Sequence, residues 1–387
     1  TNLGQTSSTT SCMQAFENLP SFVWTNESTD SLTHQIQEVN RVLQRLRSGR
    51  LYAFWTHNDV VALAATQPNV ADQIVLDFCL DHGLSAGIFA GSVDALVCRT
   101  PGQVARLSER VPEAKLRLVP ISVSLTADTQ REFSSIKRNI TTATAASRSY
   151  KLRSSLKPSY VSLVPQLLEK TGGRHIHFGP LDTDQIDEIQ RGLSDRCLDG
   201  IRFRHISYAN DLGDSLIGEG VDVFIPPFPI GSGRILMEVC ARGIPSFIHR
   251  GDTELPMTSH EEFAPKDSPV WTTESDLFML LRGLTKDRLQ ILGANARTHY
   301  ENNHSWELAS TLWPSLETPL QFDFYSGFSI RSLSQVSDFP YFVDGATPIT
   351  EYLKRRLRYR VSVILNRSQG GFWGDTKARV AANITGQ

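Results

Sequence analysis

VDVFIPPFPIGSGRILMEVCARGIPSFIHR, residues 221–250, changes its apolar period twice. Residues 221–225 form a short apolar run, broken only by Asp222, of the kind a buried parallel strand needs. A proline-rich turn and Gly231-Ser232-Gly233 follow. From Arg234 to Arg242 the apolar residues Ile235, Leu236, Val239 and Cys240 recur at helical spacing. Gly243 suits the end of that helix, and Pro245 leads into a second apolar run, residues 246–249. The pattern predicts strand, glycine-rich loop, helix, strand. A helix that starts behind such a loop presents main-chain N–H groups and its positive dipole end to an anion. Glycine-rich βα turns also occur without a ligand, so the loop alone names no function.

The same alternation continues outward. Residues 139–146 predict a strand, and 160–170 a helix with Val161, Val164, Leu167 and Leu168 inward and Gly172-Gly173 at its end. A strand is expected at 175–178, an acidic helix at 182–193, a strand at 201–206 and a short helix at 211–217. Helices are expected at 274–284, 287–303 and 306–313. In the N-terminal half, residues 31–48 predict an amphipathic helix stopping at Gly49, with Ile36, Val39, Val42, Leu43 and Leu46 on one face. Strands follow at 51–55, 72–78, 94–99 and within 115–123, and Thr100-Pro101 reads as the N-cap and first residue of a helix reaching about Val111. Short loops between alternating strands and helices imply an α/β protein with open parallel sheets. The expected division is 1–130, 131–316 and a C-terminal extension, 317–387.

Composition bounds the function. The 387 residues are 40% hydrophobic and 21% charged, enough for a sizeable core, and the net charge of −2 argues against bulk nucleic-acid binding. Five scattered cysteines (Cys12, Cys79, Cys98, Cys197 and Cys240) form neither a CxxC nor a Cys/His cluster, so no metal site and no disulfide framework is expected. No apolar run reaches membrane-spanning length and no signal peptide is visible, from which a cytoplasmic location is expected. Lys354, Arg355, Arg356, Arg358 and Arg360 form a basic run whose plain reading is a solvated helix face and whose alternative is peripheral contact with an anionic membrane.

Glu238 followed by Ala241-Arg242-Gly243-Ile244-Pro245 resembles the donor-binding half of GT-B nucleotide-sugar glycosyltransferases. In that family an acidic residue seven positions before the proline holds the donor ribose, and Glu238 and Pro245 keep the spacing. With residues 144–152 (TAASRSYKL) behind a strand, the C-terminal half is most similar to the bacterial adhesin glucosyltransferases and the protein O-GlcNAc transferases. The resemblance implies two Rossmann-type domains facing a cleft, the first on the acceptor side and the second holding a nucleotide-diphosphate sugar, a UDP-sugar being favoured. It places Lys151 and Arg148 on the donor diphosphate, Gly231, Ser232, Gly233 and Arg234 in the loop and helix start beside it, Glu238 on the ribose, and Tyr208 and Asn210 in the loop near the nucleobase. Lysine is a compact charge suited to phosphate, and arginine can grip it with two donors. In the retaining branch a second Glu lies eight residues before the ribose Glu; that position is Ile230 here, which fits the inverting relatives better.

An inverting transfer needs a base for the acceptor's proton. His57 and Asp59 stand where the adhesin transferases carry a His/Asp motif, and His82, in Asp81-His82-Gly83, competes with them. His249 also ends a strand on this side. Solvated cations at Arg148 and Lys151, and a surface pair of Glu238 with Arg242, are the plain structural alternatives. No cofactor or metal is expected beyond the donor itself, because the family neutralises the leaving diphosphate with a helix dipole and basic side chains. The expected activity is glycosyl transfer to a glycan, protein or small molecule. A nucleotide-sugar epimerase or hydrolase and a catalytically silent module assisting another transferase remain the alternatives.

Overall fold

The structure is a computed structural model. It describes residues 31–312 apart from 47, 55–60, 62–63, 65, 78–92, 101–102, 105–106, 109–110, 126–128, 134–138, 153–157, 229–230 and 251–262. These residues fall in one compact unit of the chain, 1–336. The expected extension and its basic run lie outside them.

Helix α1 (Leu32–Leu46) precedes a parallel sheet of β1 (Ser48–Phe54), β2 (Ala71–Asp77), β3 (Ala95–Cys98) and β4 (Leu116–Leu118), in that spatial order. The helix ends earlier than expected, and Gly49 lies inside β1, where the main chain already pairs with β2. None of the residues on its apolar face is fully buried. Strands β2 and β3 are buried along most of their length, as continuous apolar runs in a parallel sheet should be. Thr100 caps the following turn, its hydroxyl accepting from the Gln103 N–H at 3.0 Å.

The second sheet is built from β5 (Thr141–Ala145), β6 (Arg174–Phe178), β7 (Phe203–Ile206) and β8 (Val223–Phe224), all parallel, in the order β7-β6-β5-β8. Ser246 bridges Phe224 in parallel, and β9 (Ile248–His249) pairs with β10 (Val270–Trp271). The strands therefore run β7-β6-β5-β8-β9-β10, the doubly wound nucleotide-binding order. Helices α2 (Tyr160–Thr171), α3 (Thr183–Ser194) and α6 (Glu274–Arg282) pack on one face, and α4 (Leu212–Gly218) and α5 (Gly233–Ala241) on the other.

The central strand β5 reads TTATA because both faces are covered. Ala143 and Ala145 leave room on the α4 and α5 side, and the opposite hydroxyls are satisfied inside: Thr144 Oγ1 donates to the Ile225 carbonyl at 2.8 Å, and Thr142 Oγ1 meets His175 Nδ1 at 2.8 Å. Gly243 ends α5 with φ 65°, its N–H donating to the Cys240 carbonyl and the Ile244 N–H to Val239, a Schellman closure. Helix α7 (Lys286–Asn303) crosses there so closely that a Cβ on Gly293 would lie 2.4 Å from the Gly243 carbonyl. Helix α8 (Trp306–Leu312) then returns to the first sheet, Leu312 packing with Val75, Ala95, Val97 and Val119. The segment joining the sheets is anchored. Arg131 donates from Nε to the Val221 carbonyl at 3.0 Å and pairs through Nη2 with Asp222 at 2.9 Å.

Candidate functional site

Open parallel sheets bind ligands beyond the carboxyl ends of their strands, at the point where strand order reverses. In the second sheet that point lies between β5 and β8, because β6 and β7 are added on one side of β5 and β8 on the other. The loops leaving these two strands carry Arg148 and Lys151, and Gly231, Ser232 and Gly233. They touch. Lys151 Nζ donates to the Gly231 main-chain carbonyl at 2.5 Å, and both residues are buried.

Lys151 lies in the 3-10 turn Ser149–Leu152. Gln185 of α3 holds that turn, Nε2 donating to the Leu152 carbonyl at 3.0 Å and to Ser149 at 3.3 Å, while its Oε1 accepts from Asp182 N–H in the α3 capping box. Arg148 is exposed at the turn's outer edge. Ser232 is the N-cap of α5, with φ −152° and ψ 90°, and its side chain makes no capping hydrogen bond to the helix. Gly233 begins the helix under Phe263, whose ring carbons would lie 3.0 Å from a Cβ at that position.

Glu238 is one turn into α5. Its partner is Arg234, Nε to Oε1 3.2 Å, and not Arg242. Burial raises the proton affinity of its carboxyl; Arg234 opposes that, Asp211 adds to it, and Arg242 opposes it. Asp211 thus lies within electrostatic reach of Glu238, at the end of the loop that carries Tyr208 and Asn210, both exposed. Arg242 is fully buried and pairs through Nη2 with Asp214 at 2.9 Å and Asp211 at 3.5 Å. Both i,i+4 neighbours of Glu238 are arginines, so spacing alone could not choose between them. The choice follows from burial, which commits Arg242 to carboxylates from α4.

His249, at the end of β9, is buried between Phe228 and Trp271, with ring centroids 5.7 and 4.5 Å away. Burial pushes its pKa down to about 4, so the imidazole is neutral at pH 7. His57, Asp59 and His82 lie outside the described residues. The first sheet contributes one feature that the sequence reading missed. Asp77, ending β2, is bound at both oxygens by Arg99, just past β3, with Nε to Oδ1 at 2.9 Å. Arg99 also donates to the Val119 carbonyl at 3.1 Å. The signal, an Asp and an Arg at the ends of adjacent apolar runs, was in the sequence, but the pairing of those runs was not. Among the described residues no three His, Cys, Asp or Glu side chains form a metal-binding group, and no helix is long and apolar enough to cross a membrane.

No family model and no curated sequence matches the chain. Solved structures do match. Anabaena HepE, solved with UDP and glucose, is 13% identical with a TM-score of 0.58, over 80% of this chain and 89% of that one. S. aureus TarM is 11% identical with a TM-score of 0.55, over 73% of this chain. The O-GlcNAc transferase of Thermobaculum terrenum is 16% identical with a TM-score of 0.50, over 72%. The fold is GT-B. Against these GT-B chains the protein spans 58% of TarM and 53% of the O-GlcNAc transferase. At such identities the likeness is one of architecture.

Proposed function

We propose that the chain is a glycosyltransferase that moves a sugar from a nucleotide-diphosphate donor, a UDP-sugar in the favoured case, to a carbohydrate, protein or small-molecule acceptor. The observation that carries this reading is the meeting of Lys151 with the Gly231 loop at the switch point, directly ahead of the α5 N-terminus. A diphosphate there would gain the positive end of the α5 dipole and the cations of Lys151 and Arg148. Glu238, one turn on, would accept hydrogen bonds from the ribose hydroxyls, and the 208–211 loop would face the base.

In the transfer itself the acceptor oxygen attacks the anomeric carbon as its proton passes to a base, and the bond from that carbon to the diphosphate breaks. The negative charge that develops on the leaving oxygen is the charge that Lys151, Arg148 and the helix dipole would stabilise. Inversion and independence of a metal belong to this proposal, as do the candidate bases His57, Asp59 and His82. Likeness to the adhesin glucosyltransferase and O-GlcNAc transferase group is the finer part, supported by the Glu238 to Pro245 spacing. Cytoplasmic location and contact of the 354–360 run with a membrane are likewise proposed.

Thermal stabilisation by a panel of nucleoside diphosphates tests the donor end. A ligand at about 100 times its dissociation constant adds about 2.7 kcal/mol to stability. One nucleotide should raise the melting temperature of the wild type, and less so that of Lys151→Ala and Glu238→Ala. No shift with any of them would end the reading. Product formed only when an acceptor is added separates a transferase from an epimerase or hydrolase.

A further inference from the structure

Arg242 is the one arginine among the largest fully buried side chains of the described residues, at 1% exposure. It ends α5 yet serves the start of α4. Its Nη2 reaches Asp214 Oδ1 at 2.9 Å and Asp211 Oδ1 at 3.5 Å. Asp211 Oδ1 also caps α4, accepting from the Asp214 N–H at 2.8 Å. The first turn of α4 lies directly on the arginine's stem: a Cβ on Gly213 would stand 2.4 Å from Arg242 Nε and 2.8 Å from Cγ. The carbonyl of Arg242 accepts from the Arg131 N–H at 2.8 Å, and Thr129 Oγ1 donates to Asp214 Oδ1 at 3.2 Å. The side chain therefore joins the helix that carries Glu238 to the loop that carries Tyr208 and Asn210, and the segment between the two sheets is tied in through the Arg242 carbonyl and the Asp214 carboxylate.

An ion pair of this kind, with a buried guanidinium and carboxylates that are 32% and 48% exposed, adds little net stability, because desolvating the guanidinium offsets much of the attraction and solvent screens the rest. What it supplies is geometry. A planar guanidinium locked between two carboxylates permits one separation between the helices, whereas apolar contacts permit several. Accepting the nucleotide reading above, we propose that Arg242 is a positioning residue of the nucleotide site, holding the 208–211 loop at a fixed spacing from α5 so that base and ribose contacts are made together.

The test is the dissociation constant for UDP, measured by calorimetry well below the melting temperature. Arg242→Lys keeps a charge but not the planar fork, and Asp211→Asn keeps the N-cap, at which asparagine is as good as aspartate, while removing the charge. Each should weaken UDP binding tenfold or more, and the double variant should be no worse than the weaker single one, as two halves of one contact require. Leu168→Ala, on the buried face of α2, lowers the melting temperature without touching this network and should leave the dissociation constant within twofold. If folded Asp211→Asn binds UDP as the wild type does, or if Leu168→Ala loses as much affinity as Arg242→Lys, the positioning role is wrong. If the wild type binds no nucleoside diphosphate, the donor reading itself falls and takes this role with it.

Discussion

Lys151 and Gly231 are 80 residues apart in sequence, and a single hydrogen bond from Nζ to a carbonyl joins them. It spans the point at which strand order reverses, so the cation suited to phosphate and the helix start suited to an anion occupy one place. Removing the side chain loses both the charge and the tie. Lys151→Ala should weaken binding of a nucleoside diphosphate by about 1.5–3 kcal/mol, the usual worth of a hydrogen bond to a charged group, or roughly ten- to a hundredfold. Calorimetric titration against the wild type reads this directly; equal affinity would remove Lys151 from the site.

Glu238 and Arg234 form a partly exposed i,i+4 pair, with side-chain exposures of 25% and 75%. Such pairs contribute about 0.5 kcal/mol or less. Arg234→Ala should therefore leave the urea midpoint nearly unchanged. On the proposed function, Glu238→Gln should do the same while losing affinity for the nucleotide sugar, because the amide would replace one of the oxygens that accept from the ribose with a donor. A large stability loss in either variant would show that the pair is structural.

Asp77 and Arg99 differ from that surface pair in being buried, Asp77 at 2% exposure. Burial outweighs the arginine and raises the carboxyl's proton affinity. Arg99→Met would strand the carboxylate and should cost about 3–5 kcal/mol in chemical denaturation. Substituting both partners by apolar residues of similar volume should recover most of the loss.

His175 hydrogen-bonds Thr142 and Tyr160, and His304 the Ile121 carbonyl. Burial lowers each from the ordinary 6.5 to about 3. Between those values the unfolded chain binds a proton that the folded chain does not, so each contributes stability that is complete above about pH 6.5 and lost as the pH falls. The slope is about 1.4 kcal/mol per pH unit for each histidine. Urea denaturation at pH 7 and pH 5 should show it, and His175→Gln should reduce it.

Gly179 follows β6 with φ 103°, and a Cβ there would stand 2.0 Å from the Ala146 carbonyl. Gly179→Ala meets both backbone strain and a collision with main chain that cannot swing away. It should cost at least about 2 kcal/mol and disturb the loop before Arg148. A melting temperature equal to the wild type's would contradict the close approach.

Most of the second sheet was legible because its elements are local. Residues 160–170 carry a helical stripe, 175–178 (His-Ile-His-Phe) a short strand pattern closed by Gly179-Pro180, and the ends are marked by Gly172, Asp182 and Gly243. The reading erred where a local mark was overridden by pairing. At Gly49 the glycine suggested a helix stop, but the chain had already entered β1, since pairing with β2 outweighs a residue's own preference. The partner of Glu238 was equally hidden, because two arginines satisfy the same helical spacing.

The strand, glycine-rich loop and helix of residues 221–250 follow from local sequence, since each depends on period, caps and backbone freedom within a few residues. That Lys151 meets Gly231, that Arg99 grips Asp77 and that Arg242 turns from Glu238 toward α4 comes from the packing of distant segments. Those pairings join groups far apart in the chain. They are settled by which strands lie side by side and by the cost of leaving a buried charge unpaired.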